Sequence, residues 1–272
     1  MKRIFIPLFS IMTIFWACEP ESVTTTSTGT PVIQGYLYAG QPVDSILITL
    51  SNSYSDSDTV TKTLDNLIVT LSDNNLSQVM QFDGNGVYSA PDRTVESGKT
   101  YSLSFEWEGR TVTAQTYIPE KQEAAISTDE IYLTKISAGS FPGNFGDLPD
   151  PIEVTWSNPA GDYYYVVVKN IEENPEYVNE IFGTGELMNR RFTFISKPET
   201  TDYYSIDPRR EIRQFGTHQI IVYRVNPEYA ALYETSNATS QSITEPPSNV
   251  DNGLGVFTGV SSDTLILEVR KN

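Results

Sequence analysis

The chain has 272 residues, with 35 acidic and 18 basic side chains, a formal net charge of −17, one cysteine and one histidine. Such acidity repels phosphate backbones, which leaves out nucleic acid as a partner. A single cysteine forbids an internal disulfide framework, and a single histidine forbids zinc sites built on two or three imidazoles.

Residues 1–17 read as a signal peptide: Lys2 and Arg3, then an apolar run from Ile4 to Trp16, then the small Ala17. The run is shorter than the roughly 20 apolar residues that span a bilayer. Cys18 follows at the cut point, so Phe15-Trp16-Ala17-Cys18 reads as a bacterial lipobox whose thiol carries lipid, although Phe15 and Trp16 are bulkier than is usual there. Two or three acyl chains on that residue, palmitate among them, give stable membrane attachment, where one alone gives only marginal binding. Residues 18–30 then form the anchor and a tether, because Glu19 to Thr30 is polar and has too little apolar content to pack.

Residues 31–119 carry the punctuation of a β-sandwich. Ile46, Ile48 and Leu50 alternate with Leu47 and Thr49, and Leu67, Val69 and Leu71 with Ile68 and Thr70. Asp83-Gly84-Asn85-Gly86 predicts a hairpin turn before Val87 to Ala90, and Glu108-Gly109 predicts another between Tyr101 to Trp107 and Arg110 to Tyr117. The spacing points to an immunoglobulin-like or transthyretin-like sandwich. Pro119 to Glu123 breaks the pattern and marks a boundary.

Residues 125–272 form a second β-rich, sandwich-like domain, so the fold class is mainly all-β with two domains. Strands are expected at 126–136, 152–156, 163–171, 191–195, 217–225 and 265–269. One short helix is expected from Asn226, where Pro227 suits the first helical position and Glu228 the positive end of the dipole, running to Thr235. The Gly-, Pro-, Ser- and Asn-rich intervals 137–150 and 237–255 read as surface loops.

Motifs for chemistry are sparse. There is no His-Glu-x-x-His, Gly-x-Ser-x-Gly or P-loop, so no catalytic residue, metal ligand or cofactor cradle is assigned, and His218 reads as a hydrogen-bonded strand residue. Paired carboxylates of a glycosidase remain open among so many acids. The 16 tyrosines could build a sugar-binding face, but Tyr163, Tyr164 and Tyr165 alternate sides of one strand and form no single platform, so packing is their expected role.

Several segments together resemble a known family: Cys18-Glu19-x-Glu21, Pro31 to Leu37, Gly86-Val87-Tyr88, Val222-Tyr223-Arg224-Val225 leading to Tyr229 and Tyr233, Glu245-Pro246, and Ser248 to Phe257. These are similar to the DUF4249 lipoproteins of Bacteroidota. The resemblance implies an envelope lipoprotein of two β-rich domains, with members often encoded near TonB-dependent outer-membrane receptors, and it implies no established reaction. The expected function is a non-catalytic binding or accessory module at the outer membrane, held by its lipid anchor beside an uptake receptor, another envelope protein or a glycan. The alternatives are a surface glycan hydrolase using paired carboxylates and a structural protein of envelope assembly. Candidate binding residues sit in the two long loops: Phe141 and Phe145 in the first, and Asn249, Leu254 and Phe257 in the second.

Overall fold

The structure, a computed structural model, describes residues 29–51, 61–137, 150–183, 190–235 and 247–272. The first half contributes β1 (Pro31–Tyr38), β2 (Pro42–Leu50), β3 (Lys62–Thr63), β4 (Thr70–Ser72), β5 (Ser77–Val79), β6 (Gln81–Gly84), β7 (Val87–Thr94), β8 (Thr100–Trp107) and β9 (Arg110–Tyr117). The second contributes β10 (Ala124–Ile126), β11 (Glu130–Leu133), β12 (Ile152–Trp156), β13 (Tyr163–Asn170), β14 (Thr193–Ile195), β15 (Tyr203–Ile206), α1 (Pro208–Glu211), β16 (Gly216–Val225), α2 (Pro227–Thr235), β17 (Val250–Asp251) and β18 (Leu254–Lys271). The protein is mostly β, in several sheets.

Local chemistry explains the hairpins. Asn85 and Gly86 both take positive φ, as do Glu108 and Gly109, which suits the turns that join β6 to β7 and β8 to β9. Alternation then buries Ile46 and Ile48 from β2 and Leu103 and Phe105 from β8, while Leu47 and Ser104 face outward. The helix α2 occupies the span expected from Asn-Pro-Glu. A second helical turn, α1, was not expected; Asp207 caps it by accepting from the Arg209 amide, with Pro208 at its start. β15 was also missed, and the single strand expected at 126–136 divides into β10 and β11, which join different sheets.

A five-stranded sheet, β17-β9-β8-β4-β5, and a three-stranded sheet, β10-β12-β15, pack against one ten-stranded sheet. The large sheet runs β14-β13-β16-β18-β1-β2-β7-β6, with β11 also on β18 and β3 on β2. The 18-residue β18 makes this possible. Leu254 to Val260 pairs in parallel with β1, and Val260 to Val269 pairs antiparallel with β16, while β11 takes over the β1 side from Glu268. One strand thus runs through both halves.

This placement corrects the expected boundaries. The segment 249–260, assigned from sequence to the second domain and largely to a loop, is built into the first core. Phe257 has 0 % exposure and Val250 is buried, and both belong to the cluster that contains Ile33, Ile46, Tyr88 and Leu103. A second cluster, with Val154, Val166, Val222 and Leu267, fills the space between the large sheet and the three-stranded one.

Candidate functional site

Cys18, Phe141 and Phe145 lie outside the described residues. The other three sequence candidates have structural tasks. Phe257 packs on Gly35, where a side chain would collide with its ring. Asn249 acts as a surrogate strand partner: its Oδ1 accepts from the Phe257 amide at 3.0 Å, and its Nδ2 donates to the Phe257 carbonyl at 2.7 Å and to the Gln115 carbonyl at 3.2 Å. Leu254, partly buried, opens β18 opposite Val32. The described part of this candidate region, 247–257, is therefore a seam between strands with buried contacts.

His218 is 1 % exposed in β16. Its Nδ1 donates to the Gly216 carbonyl at 3.0 Å and its Nε2 accepts from Asn170 Nδ2 at 3.4 Å, so the ring is neutral. Burial pushes its pKa below the ordinary 6.5, against a smaller upward pull from Gly216, Glu172 and Glu268. The folded state then binds the proton less well than the unfolded one. The contribution of His218 to stability is complete above pH 6.5 and declines as pH falls from there through the folded pKa. Urea unfolding of His218→Gln should show a flatter loss of stability between pH 7 and roughly pH 5 than wild type; parallel curves would contradict the burial argument.

Glu211 is the described carboxyl pushed upward by burial, the property a hydrolytic acid needs. It is 4 % exposed, and its Oε1 accepts from the Tyr204 hydroxyl at 3.0 Å, while the nearby Asp207 is engaged as the cap of α1. That arrangement offers a substrate no approach. Among the described residues no group of three His, Cys, Asp or Glu could hold a metal ion.

A groove of about 490 Å³ is lined by Asn66, Leu67, Ile68, Phe105 and Glu106 among others. It is open, with Ile68 74 % exposed, and its polar lining of Asn66, Thr70, Ser104, Glu106 and Thr111 includes one internal pair, in which Thr111 donates to Glu106.

The denser arrangement lies where the halves meet. Register places Tyr163 opposite Val225, Tyr165 opposite Tyr223, and Val225 opposite Val260, on the outer face of the large sheet, and Tyr38 stands opposite Val260 on β1. Alternation does send Tyr164 to the other face, where it stacks on Trp156 at 5.1 Å. Tyr163 and Tyr165 nevertheless share a face with residues from β1 and β16, which reasoning within one strand could not detect. α2 folds back over this face with Tyr229 and Tyr233. Its position is fixed by Asn226, whose side-chain nitrogen reaches Thr116 Oγ1 at 3.0 Å and the Tyr117 carbonyl at 2.8 Å, and by Thr116 donating to Glu228 at 3.2 Å.

Seven tyrosines meet here. Tyr165 stacks between Tyr223, at 4.8 Å, and Tyr229, at 5.5 Å, both nearly parallel to it, and Tyr36 meets Tyr229 edge-on at 6.1 Å. Tyr229 and Tyr233 share a hydrogen bond at 3.3 Å. Tyr165 is 8 % exposed, whereas Tyr36, Tyr38, Tyr163, Tyr223, Tyr229 and Tyr233 are partly buried. Burial raises the hydroxyl pKa of Tyr36, Tyr38, Tyr165, Tyr223 and Tyr229, so these phenols stay protonated donors throughout the neutral range. The spacings Tyr36-x-Tyr38, Tyr163-x-Tyr165 and Tyr229-x-x-x-Tyr233 are the only sequence signal of this assembly.

Fold and site together define a mostly-β protein whose two halves share a through-going strand and whose junction carries an aromatic, hydroxyl-bearing surface. The chain belongs to the family DUF4249, a domain of unknown function, matched over residues 19–266. No curated protein matches the sequence. Among solved structures it is similar to a two fibronectin type-III domain segment of chicken tenascin, at 9% identity with 88% of this chain and 99% of that chain covered and a TM-score of 0.24. It is likewise similar to the FN1-FN3 domains of chicken CNTN1, at 12% identity with 89% and 67% covered and a TM-score of 0.26. Likenesses this distant do not enter the functional argument.

Proposed function

We propose that this protein is a non-catalytic binding or accessory lipoprotein of the cell envelope, anchored at the outer membrane through Cys18 and acting beside a TonB-dependent uptake receptor. The observation that carries the binding half of this reading is the tyrosine junction. It gathers hydroxyl-bearing rings from β1, β13, β16 and α2 at the meeting of the two halves, a setting where ligand sites are frequent. The anchor rests on the basic, apolar and small-Cys layout of residues 2–18. The polar residues 19–30 reach at most about 40 Å when extended, enough to hold the sheets clear of lipid headgroups.

Mass spectrometry of the native N-terminus should find acylated Cys18; a free thiol or cleavage elsewhere removes the anchor. Cross-linked pull-down from native membranes should recover an envelope receptor, and recovery of the protein alone counts against the accessory role. Protease shaving of intact cells then assigns the face of the membrane, since loss of the protein places it outside and protection places it in the periplasm.

A further inference from the structure

Resting on the accessory reading above, we infer that the free edge of β14 receives an extended, acidic strand of the partner protein, paired with Thr193 and Ile195 and held by Arg191 and Lys197. β14 is the last strand of the ten-stranded sheet, with β13 on one side and no described strand on the other. The Phe192 carbonyl accepts from the Asn170 amide at 3.2 Å, and the Ser196 amide donates to the Val166 carbonyl at 2.9 Å. Phe192, Phe194 and Ser196 therefore turn their main-chain groups toward β13. Antiparallel alternation turns the N–H and C=O of Thr193 and Ile195 to the open side, and no described backbone group meets them there. Farther on, Glu199 exchanges both of its main-chain bonds with Tyr164, which bounds the free stretch.

Side chains alternate as well. Phe194 packs with Val168 in the second core, while Arg191, Thr193, Ile195 and Lys197 are exposed, Ile195 at 55 %. The free stretch thus carries a cation at each end, roughly 20 Å apart along the strand, with Thr193 and an uncovered aliphatic side chain between them. Lys169, opposite Thr193 on β13, is exposed too, and Arg190 stands just before the stretch. Acids outnumber bases 35 to 18, yet none of Lys169, Arg190, Arg191 and Lys197 is in an ion pair among the described residues. Arg191 instead donates to the Glu172 carbonyl at 2.8 Å, and the Glu172 carboxylate is turned to the Thr217 amide, also at 2.8 Å. In so acidic a chain, cations left without carboxylates along one open edge are available to a partner's acids.

The two features together select the occupant. An added strand satisfies the open N–H and C=O groups, and its side chains on the solvent face meet those of Arg191, Thr193, Ile195 and Lys197. An anionic polysaccharide would meet the cations but leave the main-chain row unpaired. A second copy is disfavoured, because antiparallel pairing of Thr193 with Ile195 across two copies of β14 sets Arg191 directly opposite Lys197, like charge on like. Charge at an edge guards against pairing with identical or basic strands. The same charge favours an acidic one.

The test is fluorescence anisotropy of the full mature chain with the labelled peptide Glu-Thr-Val-Val-Thr-Val-Glu, whose acids fall beside Arg191 and Lys197 when its centre faces Phe194. One comparison peptide carries lysine at both ends, and another carries proline at its third and fifth positions, where the N–H must face β14. The acidic peptide should bind saturably, at least about tenfold tighter than either comparison. Arg191→Glu/Lys197→Glu should weaken it at least about tenfold and turn the preference to the lysine peptide. Lys197→Glu alone, with about a threefold loss, is the fallback if the double variant melts early, since Arg191 also holds the Glu172 carbonyl. No saturable binding, equal binding of the lysine or proline peptide, or unchanged affinity in a folded variant overturns the inference. In the membrane pull-down, a partner retained by the charge-reversed variant overturns the edge site and leaves the accessory role standing, whereas a partner released by it supports both. Failure of wild type to recover a partner sinks the accessory role, while selective peptide binding then still supports the edge site.

Discussion

A chain ending at Glu123 is expected not to fold, although it contains every residue of the first half that the turn pattern marks out as a sandwich. In the intact protein β1 is flanked by β2 and by β18, and the cut removes the whole parallel ladder from Val32–Leu254 to Tyr38–Val260. It also removes Phe257 and Val250 from the core and β17 from the edge of β9. What remains is an exposed apolar β1 edge over an emptied cavity, a combination that favours aggregation over folding. Residues 124–272 alone carry the opposite defect, a strand from Leu254 to Val260 with no β1 to receive it. Circular dichroism and amide NMR of each fragment should show little ordered structure. Co-expression of the two should restore a soluble complex, because the missing strand is then supplied in trans. A dispersed spectrum from residues 19–123 alone would refute the shared-strand account. Within the full chain, Phe257→Ala should cost about 3–5 kcal/mol in denaturant unfolding, the range for emptying a fully buried aromatic site.

The shared strand also shows what sequence reading can reach. α2 was legible because its start has a local cause in Asn226-Pro227-Glu228, and both hairpins were legible because positive φ is a local demand met by Asn85-Gly86 and Glu108-Gly109. Of β18 only the expected strand at 265–269 was legible, and nothing local announces its first half. Gly255, Gly259, Ser261 and Ser262 dilute its alternation and resemble loop composition. The structure explains two of these: a Cβ on Gly255, which has φ +102, would strike the Ile33 backbone, and one on Gly259 would strike the Tyr117 carbonyl. These glycines mark close backbone approach rather than a bend. The candidate site was less legible still. Its tyrosines come from positions 36, 38, 163, 165, 223, 229 and 233, and they meet only because β18 joins the strands of the two halves into one face. Cross-strand register is the missing quantity, and a single sequence does not contain it.

Asp73→Ala is expected to lose about 3–5 kcal/mol of unfolding free energy, the cost of leaving a buried charge without its partner. Arg93 and Asp73 form an ion pair at 3.1 Å, with side chains only 5% and 7% exposed. The guanidinium also donates to the carbonyls of Leu71, at 2.7 Å, and Leu76, at 3.3 Å, and lies 5.1 Å from the centre of the Tyr101 ring. Asp73 in turn accepts from the amides of Asn75 and Leu76, at 2.8 and 2.9 Å, which shapes the turn between β4 and β5. Removing Asp73 therefore orphans a buried cation and two turn amides together. Arg93→Met should cost less, because Asp73 keeps its two amides and Lys99 at 3.6 Å. The double variant Asp73→Ala/Arg93→Met should lose much less than the sum of the two single losses, since the orphaned charge is then gone. The pH dependence follows from the same contacts. The Asn75 amide first, then those of Leu76 and the Arg93 guanidinium, hold the Asp73 carboxyl at about 2, below its ordinary 3.8. Its contribution is complete above pH 3.8 and is lost as pH falls from there through about 2. That contribution is on the order of 1–2 kcal/mol once solvent screening is allowed for. Glu172, Glu176 and Asp263 are also held low, so the informative measurement is the difference between wild type and Asp73→Asn across that window. Acid limbs of equal slope would mean that the Asp73 carboxyl gains nothing from this turn.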